Sequence, residues 1–465
     1  MGAWDLALGI WGLAQKRLLQ LHQTHRTFDS MSDLLLSPIR HAFTATAVPP
    51  GSKSLTNRAL VLGALSTGAC RLTNVLFADD TRVMLDGLAK LGFQLEIDEA
   101  SHAVTIHGQG GEVPAARAEL FCGNSGTTIR FLSALCSLGK GEFVLDGVPR
   151  MRQRPIAELL DVLRNLGTRG EYVAESGFPP IRLLPDGLPG GVVKYGSAAS
   201  SQFLSAVLMA SPYARHEVRV DLEGEQTSWP YVWMTMQLMH EFGVTPELAR
   251  DPVTGRPMQI SVPQEPYTAS SYNIEPDASN AAYFLAAAAL HPGSSVTVNG
   301  LGTTSLQGDV GFATVLRKMG ASVKVERQSI TVSGTEELEA IDIDLLDMPD
   351  QAQTLAVVAL FATGTTTIRG LHTLKLKETD RLMALSTELK KFRAEVIVEG
   401  GDTLIITPPE KLHGASIATY DDHRMAMSFA LAGTRIEGVT IENVECVNKT
   451  YPDFFRDLEK LSVVS

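Results

Sequence analysis

The sequence predicts an α/β protein made of six copies of one unit of about seventy residues, grouped as two similar domains of three units each. Three observations support this. At 465 residues the chain is too long for one ordinary hydrophobic core. Six almost wholly apolar helical stretches recur, each opened by small polar or charged residues. A β-branched strand follows every one of them.

The helical stretches are GSKSLTNRALVLGAL, GNSGTTIRFLSAL, GSAASSQFLSAVLM, EPDASNAAYFLAAAAL, MPDQAQTLAVVALFA and TYDDHRMAMSFALA. With Lys53, Asn124, Ser200, Asp277, Asp350 and Asp422 as markers, the steps are 71, 76, 77, 73 and 72 residues. Helices apolar on nearly every face belong inside a fold rather than on its surface. The strands are CRLTNV, GEFVLDGV, EVRVDLEG, SVTVNGL, TTIRGL and VTIENV. A second helix with a charged face comes next in five units, as in MLDGLAKLG and FATVLRKMG. Alternating pairs such as SVKVERQSITVSG and EVIVEGGDTLIITP read as hairpins. The sixth unit stops after the helix DFFRDLEKL, and the strand HAFTATAV ahead of the first unit is expected to supply its missing partner.

The chain is expected to cross between domains near Gly51 and again near residues 272–275. That makes residues 52–272 the first domain and 35–51 plus 273–465 the second, with 1–34 an extension outside the fold. Asp5 interrupts the apolar start of that extension and no basic segment precedes it, a poor fit to a secretory signal. A transit-like segment stays open, and the plainer expectation is an upstream start codon, with the functional chain beginning near Met31.

A net charge of −12 argues against a general nucleic-acid binder, which needs a broad basic surface. Small anionic substrates stay open, because a few convergent cations in a cleft override the average field. Cys70, Cys122, Cys136 and Cys446 lack C-x-x-C spacing and a nearby histidine pair, so buried filler in a reducing, cytoplasmic setting is expected. Apolar runs such as AAYFLAAAAL fall well short of the ~18 residues of a membrane span. GSKSLTNR lacks the glycine spacing of a G-x-x-x-x-G-K-S/T phosphate loop, which removes the nucleotide reading.

Polar helix starts are often only N-caps, worth roughly 1 kcal/mol each. These starts carry more than capping needs: Lys53, Arg58, Arg130, Gln202, Asp350, His423 and Arg424. Buried helices in a common orientation present free N–H groups and positive dipole ends at one surface, and two such surfaces face to face make an anion cleft. The densest constellation is LKLKETDRLM, with Lys375, Lys377, Glu378, Asp380 and Arg381. Its bland reading is a solvated face of ion pairs; against that, it follows a repeat strand, where loops carry function. Arg150, Arg152 and Arg154 cluster in GVPRMRQRPI, and Lys449 lies in VNKTYPDF. Together these suggest a site for at least two anionic groups, with a carboxylate pair such as Asp350 and Glu378 for proton transfer.

The stretches PGSKSLTNRALVLGAL, GNSGTTIRFL, PRMRQRPI, GSAASSQFL, KETDRL, YDDHRMAM and NKTYPDF closely resemble the 5-enolpyruvylshikimate-3-phosphate synthase family of enolpyruvyl transferases, from about Leu35 to the C-terminus. The resemblance implies two domains, each of three βαβαββ repeats in an inside-out α/β barrel. It implies transfer of enolpyruvyl from phosphoenolpyruvate to the 5-hydroxyl of shikimate 3-phosphate with release of phosphate. The implied route is addition then elimination through a tetrahedral intermediate, without metal or organic cofactor, in a monomer with no nucleic-acid or membrane partner. Carried over by position, Lys53 contacts phosphoenolpyruvate and assists proton transfer. Ser54, Arg58, Ser200, Ser201, Gln202, Ser228, Tyr231, Asp350, Thr373 and Lys377, with Lys53, hold shikimate 3-phosphate. Asn124, Gly126, Arg154, Gln202 and Lys449 lie at the phosphoenolpyruvate phosphate, and Arg381 and Arg424 clamp its carboxylate. Asp350 serves the 5-hydroxyl, Glu378 protonates the methylene carbon, and His423 lies near the reacting centre.

Two positions depart from the family. Thr373 stands where many members have asparagine, and Ile129 and Phe131 replace smaller or proline-containing patterns in the helix shaping the pocket where glyphosate competes. Gly126 leaves room for that inhibitor. The rival UDP-N-acetylglucosamine enolpyruvyl transferase typically uses a cysteine on a mobile loop, a context no cysteine here has. A non-catalytic repeat scaffold is expected to have lost one of Lys53, Asp350, Glu378 or Arg424, and none is missing.

Overall fold

The computed structural model describes residues 32–463. Among the described residues five sheets have four strands and one common plan: a strand at one edge runs parallel to its neighbour, which then pairs antiparallel with a hairpin. In the second unit, for example, Arg117–Phe121 lies beside Glu142–Asp146, and Ile181–Leu183 with Gly170–Tyr172 completes the sheet. The expected hairpins form, as in Glu395–Glu399 against Thr403–Thr407.

Six buried helices mark the units: α1 (Lys53–Leu65), α2 (Gly126–Cys136), α3 (Ser201–Ala210), α4 (Ala278–Leu290), α5 (Ala352–Val358) and α6 (His423–Gly433). Every residue of α2, α4 and α6 is buried, as their apolar composition on all faces requires. Two hydrophobic cores result. One gathers residues between Leu55 and Ile274, the other joins Phe43 and Ala47 to residues from Ala278 to Leu461. The four cysteines are free and buried. Among the described residues no helix is long and apolar enough to cross a membrane.

The two crossing segments lie against each other, with Gly51 bridged to Pro276. Ser52 N–H donates to Glu275 O at 2.8 Å and Asp277 N–H to Pro50 O at 2.8 Å. Gly51 is required here, because a Cβ would stand 1.8 Å from the carbonyl oxygen of Asn74.

Two expectations need correction. Thr44–Ala47 of HAFTATAV does not complete the sixth unit; it runs parallel to Ser295–Asn299 in the fourth. The sixth unit takes Leu34–Leu35 instead, antiparallel to Thr440–Ile441, which also pairs with Ser416–Ile417. An alternating pattern specifies a strand but not its partner, and both candidates precede the first unit. Residues 32–34 therefore belong to the fold, and the boundary after residue 34 falls inside a strand. The remainder of the expected extension lies outside the described residues.

Candidate active site

Capping is done mostly by the residue just before each buried helix. Ser52, Ser125, Ser200, Asp277 and Asp422 accept first-turn N–H groups of α1, α2, α3, α4 and α6. This frees Lys53, Gln202 and Arg424 to face the gap between the two sets of helix mouths. Asp277 also accepts Lys53 N–H at 3.0 Å, tying the mouth of α4 to that of α1.

Two adjoining polar cavities of about 30 Å³ each occupy that gap, sharing Lys53, Gln202, Asp350 and Lys377 in their walls. The first is otherwise lined by hydroxyls from Ser54, Ser200, Ser201, Ser228, Tyr231 and Thr373. The second is walled by Asp80, Gly126, Arg130, Arg154, Glu378, Arg381 and Arg424. Ser228 is held at φ +55, a left-handed conformation uncommon for serine, while its N–H donates to Leu346 O at 3.1 Å.

The cations in these walls are matched by carboxylates of the protein itself. Arg381, 1 % exposed, reaches Asp422 at 2.7 Å, Asp350 at 3.0 Å and Glu378 at 2.8 Å. Asp350 also meets Arg424 at 3.2 Å and Lys377 at 3.3 Å. Glu378 meets Arg154 at 3.7 Å and Lys449 at 3.9 Å. Asp80 bridges Lys449 at 2.5 Å and Lys53 at 3.3 Å. The Asn124 carbonyl accepts from Arg154 and Lys449, each at 2.9 Å.

Burial opposes charge on Asp350 and Glu378, but the cations outweigh it. Lys377, Arg424 and Arg381 hold the Asp350 carboxyl, and Arg381, Arg154 and Lys449 that of Glu378, well below the usual range. Burial lowers the Lys377 ammonium, with Asp350 opposing the shift. Burial, then Arg424, push the His423 imidazole well below its ordinary 6.5. Both ring nitrogens of His423 lack a hydrogen-bond partner.

The His423 shift has a measurable consequence. The folded protein keeps this ring neutral while the unfolded chain protonates it near 6.5, so the stabilising difference is full above that pH and is lost as pH falls below it. His423→Gln is expected to flatten the loss of unfolding free energy between pH 6.5 and about 5, by up to about 1.4 kcal/mol per pH unit, read from denaturant titrations of both proteins. Parallel stability curves for the two would refute it.

Most expected site residues come together in these walls, and four stand elsewhere. Arg58 lies behind the first cavity: its guanidinium donates to Thr235, Ser205 and the Ser54 and Tyr231 carbonyls, bracing that wall from inside. Asn124 and Lys449 line a more open neighbouring cavity of about 390 Å³. His423 is buried beside Arg424 and in neither wall. Residues missed as site components are Asp80, Asp309 and Asp422, while Arg130 is singled out at its helix start but assigned no ligand. Asp309 accepts the Tyr231 hydroxyl at 3.0 Å, and Arg130 donates to Gln202 at 2.6 Å and Ser200 at 3.2 Å. Arg130 and Asp422 carried a signal, as polar residues at buried helix starts; Asp80 in FADDTR reads only as an ordinary acidic first turn. Among the described residues no group of His, Cys, Asp and Glu is placed to hold a metal ion.

Helix mouths closing on a buried set of paired cations and carboxylates define an enzyme that holds small, multiply charged anions and moves protons among them. The chain belongs to the EPSP synthase (3-phosphoshikimate 1-carboxyvinyltransferase) family, whose model matches residues 39–458. It is 46% identical over 433 residues to a 3-phosphoshikimate 1-carboxyvinyltransferase of Sulfurovum sp. (strain NBC37-1), covering 93% of this chain and 100% of the relative. The chloroplastic 3-phosphoshikimate 1-carboxyvinyltransferase of Solanum lycopersicum is 44% identical, over 97% of this chain and 88% of its own length. An EPSP synthase structure from Acinetobacter baumannii superposes with a TM-score of 0.77 at 27% identity, covering 92% of this chain and 98% of that one.

Proposed function

We propose that the protein transfers the enolpyruvyl group of phosphoenolpyruvate to the 5-hydroxyl of shikimate 3-phosphate, releasing phosphate. The observation that carries this reading is Arg381 between two carboxylates, with Asp350 at 3.0 Å and Glu378 at 2.8 Å. The hydroxyl-lined cavity suits the sugar-acid phosphate, with Ser54, Ser200, Ser201, Ser228, Tyr231 and Thr373 as donors and acceptors. The cation-lined cavity suits phosphoenolpyruvate: Arg381 and Arg424 for its carboxylate, Lys53 and Arg154 for its phosphate, with Lys449 reaching from the neighbouring cavity to within 3.9 Å of Glu378.

Glu378 delivers a proton to the methylene carbon, the neighbouring carbon becomes electrophilic, and the 5-hydroxyl oxygen bonds to it while Asp350 takes the hydroxyl proton, assisted by Lys53. Glu378 then takes back a methyl proton as the carbon–oxygen bond to phosphate breaks, which restores the alkene, and the proton held by Asp350 passes to the departing phosphate. Without substrate, Glu378 is held ionised by Arg381, Arg154 and Lys449. A bound trianion draws those three cations to itself and returns the carboxyl to a range where it picks up the proton it must deliver. Closure of the halves excludes water around the intermediate.

The same proposal covers the architecture: an inside-out barrel per domain, with one domain at 52–274 and the other formed by 32–51 plus the segment from 275 onward, in a monomer. The two cores and the paired crossing segments at Gly51 and Pro276 support it. Four buried free thiols fit a reducing, cytoplasmic setting, and leave the UDP-N-acetylglucosamine reading without its loop cysteine. The test is phosphate release from the purified protein with each substrate omitted in turn. Release that requires both supports the reading; none from folded protein overturns it.

Gly126 supplies a second check. A Cβ there would stand 2.6 Å from Nη2 of Arg154 and 2.9 Å from its Cζ, displacing the guanidinium. Gly126→Ala is expected to raise KM for phosphoenolpyruvate about tenfold, some 1.4 kcal/mol, with kcat within about threefold. An unchanged KM would remove Arg154 from the binding set.

A further inference from the structure

We propose that Arg150 is a positioning residue for proton transfer: its guanidinium clamps the backbone of the loop that carries Lys377 and Glu378, so these side chains take their working places only when the two halves are together. The inference rests on the reading just given and assigns a part to the one arginine of GVPRMRQRPI that is neither in the cavity wall nor free on the surface.

Arg150 begins a single turn, Met151–Gln153, on the first-half segment that also delivers Arg154. Its Nε and Nη2 donate to the Lys377 carbonyl at 3.2 and 2.8 Å, and Nη2 donates also to the Lys375 carbonyl at 3.3 Å. Gln153 accepts from Nη1 at 3.1 Å and steadies the plane of the fork. The receiving loop needs such a partner. Leu374–Leu376 is one 3-10 turn whose last carbonyls have no donor of their own, and the next helix, Arg381–Lys391, starts only after its cap Asp380. Lys377 lies between them in an extended conformation, φ −87 and ψ −156.

Holding the Lys377 carbonyl orients the peptide plane joining it to Glu378, and with it the direction in which the Glu378 side chain departs. Of the two residues this peptide joins, Lys377 places its ammonium 3.3 Å from Asp350 and Glu378 meets Arg154 at 3.7 Å. One first-half segment thus supplies a cation to Glu378 through Arg154 and sets its backbone through Arg150. Arg152, between them, is exposed and pairs only with Asp146 at 2.5 Å, making it the natural control.

The experiment compares Arg150→Ala, Arg150→Lys and Arg152→Ala with the unaltered protein by two readouts. Steady-state kinetics should show kcat of Arg150→Ala reduced about 100-fold with both KM values within about threefold, since misplacement of a catalytic group by an ångström costs that much. Arg150→Lys should fall between, because one ammonium cannot serve two carbonyls as a flat fork does. Arg152→Ala should match the unaltered protein. Amide hydrogen exchange over residues 374–380, measured without substrates, should be faster in both Arg150 variants than in the other two proteins. An unchanged kcat, a loss expressed in KM instead, or unchanged exchange would overturn the proposal. Exchange needs no turnover, so the clamp is tested even if the unaltered protein releases no phosphate, an outcome that sinks the functional reading instead. Should Arg150→Ala fold poorly, Arg150→Lys carries both readouts.

Discussion

Glu378→Gln is expected to bind shikimate 3-phosphate within about threefold of the unaltered protein while phosphate release falls about 10³-fold. The amide keeps the size and planarity of the carboxyl but has no acidic proton to place on carbon. Glu378 lines the cation-rich cavity and not the hydroxyl-rich one, so the first substrate's contacts stay in place. Calorimetric titration of shikimate 3-phosphate and a phosphate-release assay on the same preparation separate the two effects. Lost binding with surviving chemistry would show the role to be wrong; lost binding together with lost chemistry would point to collapse of the wall.

Arg381→Ala is the substitution with the largest combined effect. It removes the one guanidinium that, among the described residues, ion-pairs with all three of Asp350, Glu378 and Asp422, the last of these 0 % exposed. Asp350 keeps Lys377 and Arg424 and Glu378 keeps Arg154 and Lys449, but stranding the buried Asp422 carboxylate costs about 3–5 kcal/mol, far more than losing a surface pair. The expected result is a large fall in the urea midpoint together with loss of detectable turnover. A double-mutant cycle with Asp422→Asn isolates the pair, and a coupling below about 0.5 kcal/mol would show that Asp422 does not depend on this guanidinium.

The six buried helices are plain in the sequence, because runs such as AAYFLAAAAL leave no face for water and a polar residue announces each start. Strand partnership is not. HAFTATAV alternates clearly, yet whether it joins Ser295–Asn299 or Thr440–Ile441 depends on how the chain turns between domains, which no local pattern records. The site divides similarly. Lys53, Asp350, Lys377 and Arg424 stand out as charges at apolar helix starts or in a dense charged loop, but Asp80, the partner of Lys53, and Asp309, the partner of Tyr231, look like ordinary turn and helix-start acids. Only folding brings Asp80 from one end of the chain to Lys449 at the other. Arg58 shows what a helix-start position leaves unsaid: the turn of α1 directs its guanidinium to Thr235 and Ser205.

The strands ahead of the first unit set an order of assembly. Residues 32–47 leave the ribosome before either core exists, yet Ser295 lies 251 residues beyond its partner Thr44, and Asp33 waits 410 residues for Asn443. The three units between Leu55 and Ile274 have their last strand, Ser271–Asn273, as soon as it is synthesised, since it pairs back to Arg71–Thr73. The first half can therefore complete itself during translation while the earliest segment stays unpaired, and the second half closes last, on sequence contacts of the longest separation and hence the greatest loop-closure cost. An interruption between these stages leaves a finished half joined to an open one whose apolar helices are still uncovered, the state from which aggregation of a two-core chain begins.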